Sequence, residues 1–498
     1  MLKKLVSEVM LTTLLIGMVT LTFNIKPVKA SGTIYIRADG SVDPLTAPIS
    51  SADNITYVFT DNIFNKTIEV QRKNTIIDGN GHLLQGTGTG RGFYLNAHGV
   101  TVKSTRIIGF GYGVYWSGGW RQKIINNSIS CTFTGIYINT DLLWGDSIIG
   151  NRIFGNRIAI HMDSMASEVD VINNTIRYND IVGIWLDNWC GCWGGRIVGN
   201  LISNNGAGIR LRWVICFLRD NTLVNNGLEV GGWYPECYEQ DIDSSNTING
   251  KPIYYWMNQQ DKTVPLDAAY VALVNCKNII VENLTLTGSG GVIVVSTTDS
   301  TIRNLSISND YYGFTLLDSE RNRIYGNNIT DCWIPIIGGD NAENIIYHNN
   351  FINNGEPPRI YESEDSWDMG YPFGGNYWSD YNGTDLYCDA NQSFNGSDGI
   401  GDTQYVFPDA WSETNFTDRY PLIEPWTPSW EPIPPFLTGD VNYDRKVNIY
   451  DITFLASIYR CKEGDLEWNP FADLAQPYGQ IDIFDLVTCA AHYGETYP

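Results

Sequence analysis

From residue 33 onward, short runs that alternate apolar and polar side chains are separated by Asn- and Gly-rich turns. The apolar residue two places after a turn Asn forms one series, Ile129, Ile153, Ile176, Ile202 and Leu223, in steps of 24, 23, 26 and 21. Leu286, Ile307, Ile329 and Phe351 form another, in steps of 21, 22 and 22. Both carry an apolar partner five positions earlier, as at Ile124, Ile148, Ile197, Ile302 and Ile324. A third column, Val114, Ile136, Ile160, Ile184 and Ile209, steps by 22, 24, 24 and 25.

No helical apolar period competes with these short β-rich runs. A coil of this length cannot bury its own apolar face, but stacked coils bury a continuous ladder. The period suits a three-sided coil, so the prediction is an all-β, right-handed parallel β-helix over residues 31–425. A leucine-rich repeat has a similar period, but its helix and Leu spacing are absent. Asn at equivalent turn positions tolerates left-handed backbone and can form side-chain ladders along the stack. Residues 228–268 break the periodicity and are expected to form an insertion, and 365–425 a capping segment. Six prolines between Pro421 and Pro435 predict a semi-rigid linker over 426–438.

Outward positions follow from the third column. One place after it stand Tyr115, Tyr137, His161, Trp185 and Arg210, and three places after it Ser117, Asn139, Asp163, Asp187 and Arg212. In register these form two neighbouring strips with rungs about 4.8 Å apart. Tyr115, Tyr137, Trp185 and Asn139 are candidates for stacking on sugar rings and gripping hydroxyls. Asp163 and Asp187 on adjacent rungs approach the spacing of about 5 Å used by retaining glycosidases. Alternatively, Arg210 or Arg212 neutralises a uronate while His161 or a tyrosine removes a proton, as in a lyase or an epimerase. A solvated polar β face, or sugar binding without turnover, fits the same residues.

Composition narrows the partners. The 32 Lys and Arg against 55 Asp and Glu give a formal net charge of −23, which argues against nucleic acid or an anionic membrane surface. Lys3 and Lys4, the apolar stretch Val9 to Phe23 and Val28-Lys29-Ala30 read as an export signal over 1–30. No later apolar run has membrane-spanning length. The chain is therefore expected to be secreted, extracellular or held at the cell surface. Its ten cysteines would then meet a disulfide-permissive compartment.

The segments "NTIIDGNGHLLQG" (74–86), "INGKPIYYW" (248–256), "GGNYWSDY" (374–381) and "DGIGDTQY" (398–405), with the Asn-Ile repeats, resemble the right-handed β-helix family grouped with the nitrous-oxide-reductase accessory protein NosD. The resemblance spans about 33–425 and implies the fold, with carbohydrate-binding and sugar-hydrolase β-helices as wider relatives. Copper is not carried over by default, because His82, His98, His161, His348 and His492 are widely separated and Cys190-Gly191-Cys192 is the one soft cluster.

After the linker, "VNIYDITFLASIYR" from Val447 matches "IDIFDLVTCAAHYG" from Ile481 at an offset of 34. Running into the first copy, Asp440, Asn442, Asp444, Asn448 and Asp451 occupy positions 1, 3, 5, 9 and 12 of a calcium loop, with the Lys446 carbonyl at 7. The second loop, counted as thirteen residues from Asp473, keeps Asp482 and Asp485 but has Ala475 and Pro477 where ligands should fall. These paired units resemble a type I dockerin over 439–498, which implies calcium as cofactor and a cohesin-like domain as partner. The chain as a whole reads as an exported β-helix that binds polysaccharide and either processes it or holds it. The alternatives are a structural or adhesive surface protein and a metal-handling accessory protein.

Overall fold

The computed structural model describes residues 32–140, 144–163, 168–388, 390–410, 415–428, 439–442, 446–462, 465, 468–469, 472–475 and 479–494, without the side chains of 189–193 and 394. The expected leader 1–30, most of the linker, Asp389 and Asp444 lie outside them. Two compact units emerge, Met1–Tyr255 and Trp256–Pro498.

In the first unit, three apolar columns stack strand on parallel strand. Ile107, Ile129, Ile153, Ile176, Ile202, Leu223 and Ile248 face one another along one column. Val102, Ile124, Ile148, Val171, Ile197, Leu218 and Ile242 form the second. Val114, Ile136, Ile160, Ile184, Ile209 and Leu228 form the third. All these side chains are buried. Three columns per coil make the three-sided parallel β-helix that the repeat length requires.

Buried amides tie the corners. Each backbone N–H of Asn127, Asn151, Asn174, Asn200 and Asn221 donates to the side-chain oxygen of the next Asn in the stack, ending at Asn246. Each amide nitrogen returns to a carbonyl one coil back, as Asn200 Nδ2 does to Val171 O at 2.8 Å. Every polar atom of the corner is thereby used inside a dry stack. The neighbouring turn position is left-handed, and at Gly150 (φ 66°) a Cβ would come within 2.3 Å of Asn126 Oδ1.

Residues 228–248 do not leave the stack as an insertion. Leu228 lies beside Ile209, Ile242 beside Leu218 and Ile248 beside Leu223, so the segment supplies another coil. A 3-10 turn at Pro235–Tyr238 and an antiparallel pairing of Thr247–Ile248 with Lys251–Met257 disguise its period.

The second unit repeats the logic with Leu286, Ile307, Ile329, Phe351 and Trp378 in one column and Val281, Ile302, Ile324 and Ile346 in another. Two of its Asn ladders end on carboxylates. Asn376 N and Nδ2 donate to Asp418, and Asn344 N and Nδ2 to Asp365. An acceptor-only group is a fitting terminus for a ladder whose last rung has two donors to satisfy. Trp378 closes the apolar column, stacked on Phe351 at 4.2 Å and on Tyr405 at 4.3 Å.

Two short helices, Ile449–Ser457 and Ile483–Ala491, follow the linker, each opened by a capping box. The halves obey an internal two-fold: Arg460 N donates to Ile481 O at 2.8 Å, and Gly494 N, 34 residues later, to Val447 O at 2.7 Å. No helix among the described residues is long and apolar enough to cross a membrane. Cys131, Cys216, Cys237, Cys276, Cys332 and Cys489 carry buried, unbridged thiols. Cys489 donates to Gly439 O at 3.1 Å rather than bridging to Cys461.

Candidate functional site

The strand register of the first unit gathers the predicted outward residues Tyr115, Tyr137, His161, Trp185 and Arg210 into one row, which Glu69 and Tyr94 continue at one end and Glu229 at the other. Alternation puts them outside because Val114, Ile136, Ile160, Ile184 and Ile209, one position earlier, point into the core. Ring centroids are separated by 6.0 Å for Tyr94–Tyr115, 5.2 Å for Tyr115–Tyr137, 5.3 Å for Tyr137–His161 and 4.6 Å for His161–Trp185. Arg91 caps the Tyr115 ring at 3.9 Å, and Arg210 lies 5.2 Å over Trp185.

Beside this row, Asp163, Asp187 and Arg212 stand on consecutive rungs. Asn139 joins them through Nδ2, 3.4 Å from the Tyr137 hydroxyl and 3.5 Å from Asp163 O. Tyr137 donates to Asp163 Oδ2 at 3.2 Å. The sites predicted from the sequence are therefore contiguous, with one change. Arg210 is ion-paired to Glu229 at 2.5 Å, which leaves Arg212 the better placed cation for an acidic group.

Environment sorts the roles. Burial, then the Asp163 charge, pushes the Tyr137 hydroxyl up to about 12, so at neutral pH it is a proton donor and not a base. Burial lowers His161 against the pull of Asp163, leaving a neutral imidazole able to accept a proton. Burial raises the Asp187 carboxyl, Arg212 draws it down, and Asp163 adds to the rise. Two carboxylates on adjacent rungs, one environment raised and one exposed, is an arrangement acid-base chemistry uses.

Glu69, Tyr94 and Glu229 extend the row beyond the residues singled out in the sequence. Tyr94 was legible, since it follows Phe93, which continues the Val114 column one coil earlier. Glu229 was hidden by the irregular spacing around residues 228–248.

The C-terminal loops differ from each other. Asp451 Oδ1 accepts from Val441 N and Asn442 N, and Asp451 Oδ2 from Asn448 N. Asp485 does the same for Ala475 N and Asp482 N. The shared register corrects the thirteen-residue reading of the second loop. Ala475 matches Val441, so Leu474 stands where Asp440 stands in the first loop. The first loop buries two carboxylates, Asp440 and Asp451, with Asn442, Asn448 and the Lys446 carbonyl beside them in sequence, a hard-oxygen set that suits calcium. Asp482 caps its helix by accepting from Phe484 N at 2.7 Å. Asp402 accepts from Leu386 N and Tyr387 N, and Asp398 from Ile400 N, so both serve turns of the cap.

Cys190-Gly191-Cys192, the soft cluster of the sequence, has its side chains outside the described set, and the soft donors inside that set do not converge. Cys276 and Cys332 donate to nearby carbonyls, and His348 Nε2 contacts Phe373 O at 2.5 Å. Among the described residues no three His, Cys, Asp or Glu side chains form a metal-holding group.

A family model described as periplasmic copper-binding protein (NosD) matches residues 257–383. A second, described as right handed beta helix region, matches residues 91–261. Among solved structures, the A-module of the mannuronan C-5 epimerase AlgE4 of Azotobacter vinelandii aligns at 13% identity over 60% of this chain and 90% of that chain, with a TM-score of 0.22. No curated protein matches the chain by sequence. The stacked coils and the two family matches together make this chain a parallel β-helix protein.

Proposed function

We propose that the row from Tyr94 to Arg210 binds an extended polysaccharide along the coil stack. One observation carries the reading: four rings and an imidazole succeed one another on consecutive rungs, with Asp163, Asp187 and Arg212 alongside. Because the ring faces pack on one another and under Arg91 and Arg210, the outward ring edges and hydroxyls meet the sugars, while carboxylates, an amide and a guanidinium grip hydroxyls and acidic groups. Where the bound chain is turned over, Tyr137 donates a proton, His161 accepts one, and Arg212 steadies a uronate. Hydrolysis through Asp163 and Asp187 is the competing route.

The C-terminal module attaches this β-helix to a cohesin-type partner with calcium in its first loop. Exposed Ile449 and Tyr450 on one helix and their equivalents Ile483 and Phe484 on the other support a protein-docking role. Export is supported by the leader-like first thirty residues and by the word periplasmic in the description of the family matched over 257–383. Metal handling stays an alternative: the soft donors among the described residues are dispersed, while the side chains of Cys190 and Cys192 lie outside them.

The test incubates the full chain with neutral and uronic-acid polysaccharides and scores binding and new chain ends together. Binding lost in Trp185→Ala supports the row. New chain ends lost in Asp163→Asn or Asp187→Asn make the protein an enzyme. No binding to any polysaccharide leaves the adhesive spacer as the surviving account.

A further inference from the structure

A second face of the first unit carries cations and no carboxylate. Its strands flank the buried column of Ile107, Ile129, Ile153, Ile176 and Ile202, so the residues on either side of each point outward. One outward row runs Arg106, Ser128, Arg152, Thr175, Leu201, and its neighbour Ile108, Ser130, Phe154, Arg177, Ser203. Neither row holds an Asp or a Glu. The strands of these coils and the turns at both ends of them lie wholly within the described residues.

Five cations on other faces of the coils meet a carboxylate one rung away. Lys103 pairs with Asp78, Arg196 with Asp170, Arg219 with Asp241, Arg210 with Glu229 and Arg303 with Glu282. Arg106, Arg152 and Arg177 make no ion pair among the described residues. Arg152 instead lies 5.3 Å over the Phe154 ring, and Arg177 lies 5.6 Å over the ring of Tyr178, which is 58% exposed. A ring steadies a guanidinium without neutralising it. Arg106 and Arg152 share a row two rungs apart, about 10 Å, and Arg177 stands one rung beyond Arg152 in the neighbouring row.

We infer that this face binds an acidic polysaccharide, laid along the stack with its acid groups against Arg106, Arg152 and Arg177. The inference does not rest on the row from Tyr94 to Arg210. A net charge of −23 repels polyanions from the chain as a whole, so one is drawn only to a place where cations stand unbalanced. Three cations spaced along the coils suit a polymer whose charges recur at intervals. They are few beside the roughly 6–10 phosphate contacts of a nucleic-acid site. Ser128, Ser130 and Thr175 stand among the cations and offer hydroxyls to the sugars, where a protein interface would place its apolar centre.

The test measures binding of the full chain by titration calorimetry to polygalacturonate and its methyl ester, to dextran sulfate and dextran, and to duplex DNA. One variant carries Arg106→Gln, Arg152→Gln and Arg177→Gln, and a second has Lys at the same three positions. A third carries Lys73→Gln, Lys123→Gln and Lys251→Gln, exposed sites whose loss changes the net charge equally. At least one acidic polymer should bind more tightly than its neutral mate, and less so as salt rises. The three Arg→Gln changes should erase that preference, a loss of about tenfold or more. The three Arg→Lys changes, the Lys→Gln control and Trp185→Ala should each leave it standing. No acid preference, a preference that survives the Arg→Gln changes, or one lost in the Lys→Gln control or in Trp185→Ala would each overturn the inference. So would its loss in the Arg→Lys variant, or DNA binding more tightly than either acidic polysaccharide. Neutral oligosaccharides weakened by Trp185→Ala test the row separately.

Discussion

The phenol of Tyr137 donates across one coil to the carboxylate of Asp163, at 3.2 Å. Burial raises its pKa to about 12, and the Asp163 charge and this bond add to the rise. A pH titration of tyrosinate absorbance should therefore show Tyr137 among the last groups to ionise. The difference between the chain and Tyr137→Phe should isolate it. Asp163→Asn, which removes the neighbouring negative charge, should bring its titration down in pH. A Tyr137 that ionises near 10 in the unaltered protein would contradict the assigned donor role.

Asp146 and Asp418 are both buried, and burial pushes each up to about 7. Their folded pKa values exceed the ordinary carboxylate value of about 3.8–3.9 expected in the unfolded chain, so the folded state holds more protons between about pH 4 and 7. Stability contributed by these two sites should fall as pH rises through that window and level off above it. Thermal unfolding followed from pH 4 to 8 should show this descent. Asp418→Asn should weaken it while lowering the melting temperature throughout, because one amide oxygen cannot replace two acceptors serving Asn376, Trp378 and Tyr420.

Asn200 sits inside the longest amide ladder. It accepts from Asn174 N at 2.9 Å and donates to Val171 O and Asn221 Oδ1 at 2.8 and 2.9 Å. Asn200→Ala strands these partners in a dry interior and should cost more than about 3 kcal/mol, since each buried orphan costs about 1–3 kcal/mol. Asn225 is on the exposed neighbouring turn, and Asn225→Ala should cost far less. Chemical denaturation of the two variants provides the comparison.

One calcium ion per chain is expected, not two. Leu474 occupies the place of Asp440, so the second loop lacks its first ligand even though Asp485 repeats the backbone contacts of Asp451. Calorimetry should return a stoichiometry near one, abolished by Asp440→Ala. Two equivalent ions would contradict the register drawn between the loops.

The β-helix was legible because its cause is local and repeated. Each coil must bury one residue per side, so Ile129, Ile153, Ile176, Ile202 and Leu223 mark one column whatever their exact spacing. The outward row followed from alternation alone, which is why Tyr137, His161 and Trp185 fall on successive rungs. Long-range choices were not legible. Nothing near Arg210 announces that Glu229 neutralises it, since the intervening turn has its own irregular length. Likewise Leu228 and Ile242 continue two columns through a 3-10 turn that breaks the period. The second loop was misread by one residue because Asp473 resembles a first ligand, whereas hydrogen bonding places Leu474 there.

The central claim is that a glycan lies along the row from Tyr94 to Arg210. The most direct measurement is the affinity of the full chain for a size series of oligosaccharides from one polysaccharide that it binds. Affinity should climb with each added sugar until the ligand spans the row, then level off, and Trp185→Ala should flatten the climb. An affinity independent of length, or a length dependence untouched by Trp185→Ala, would contradict the account.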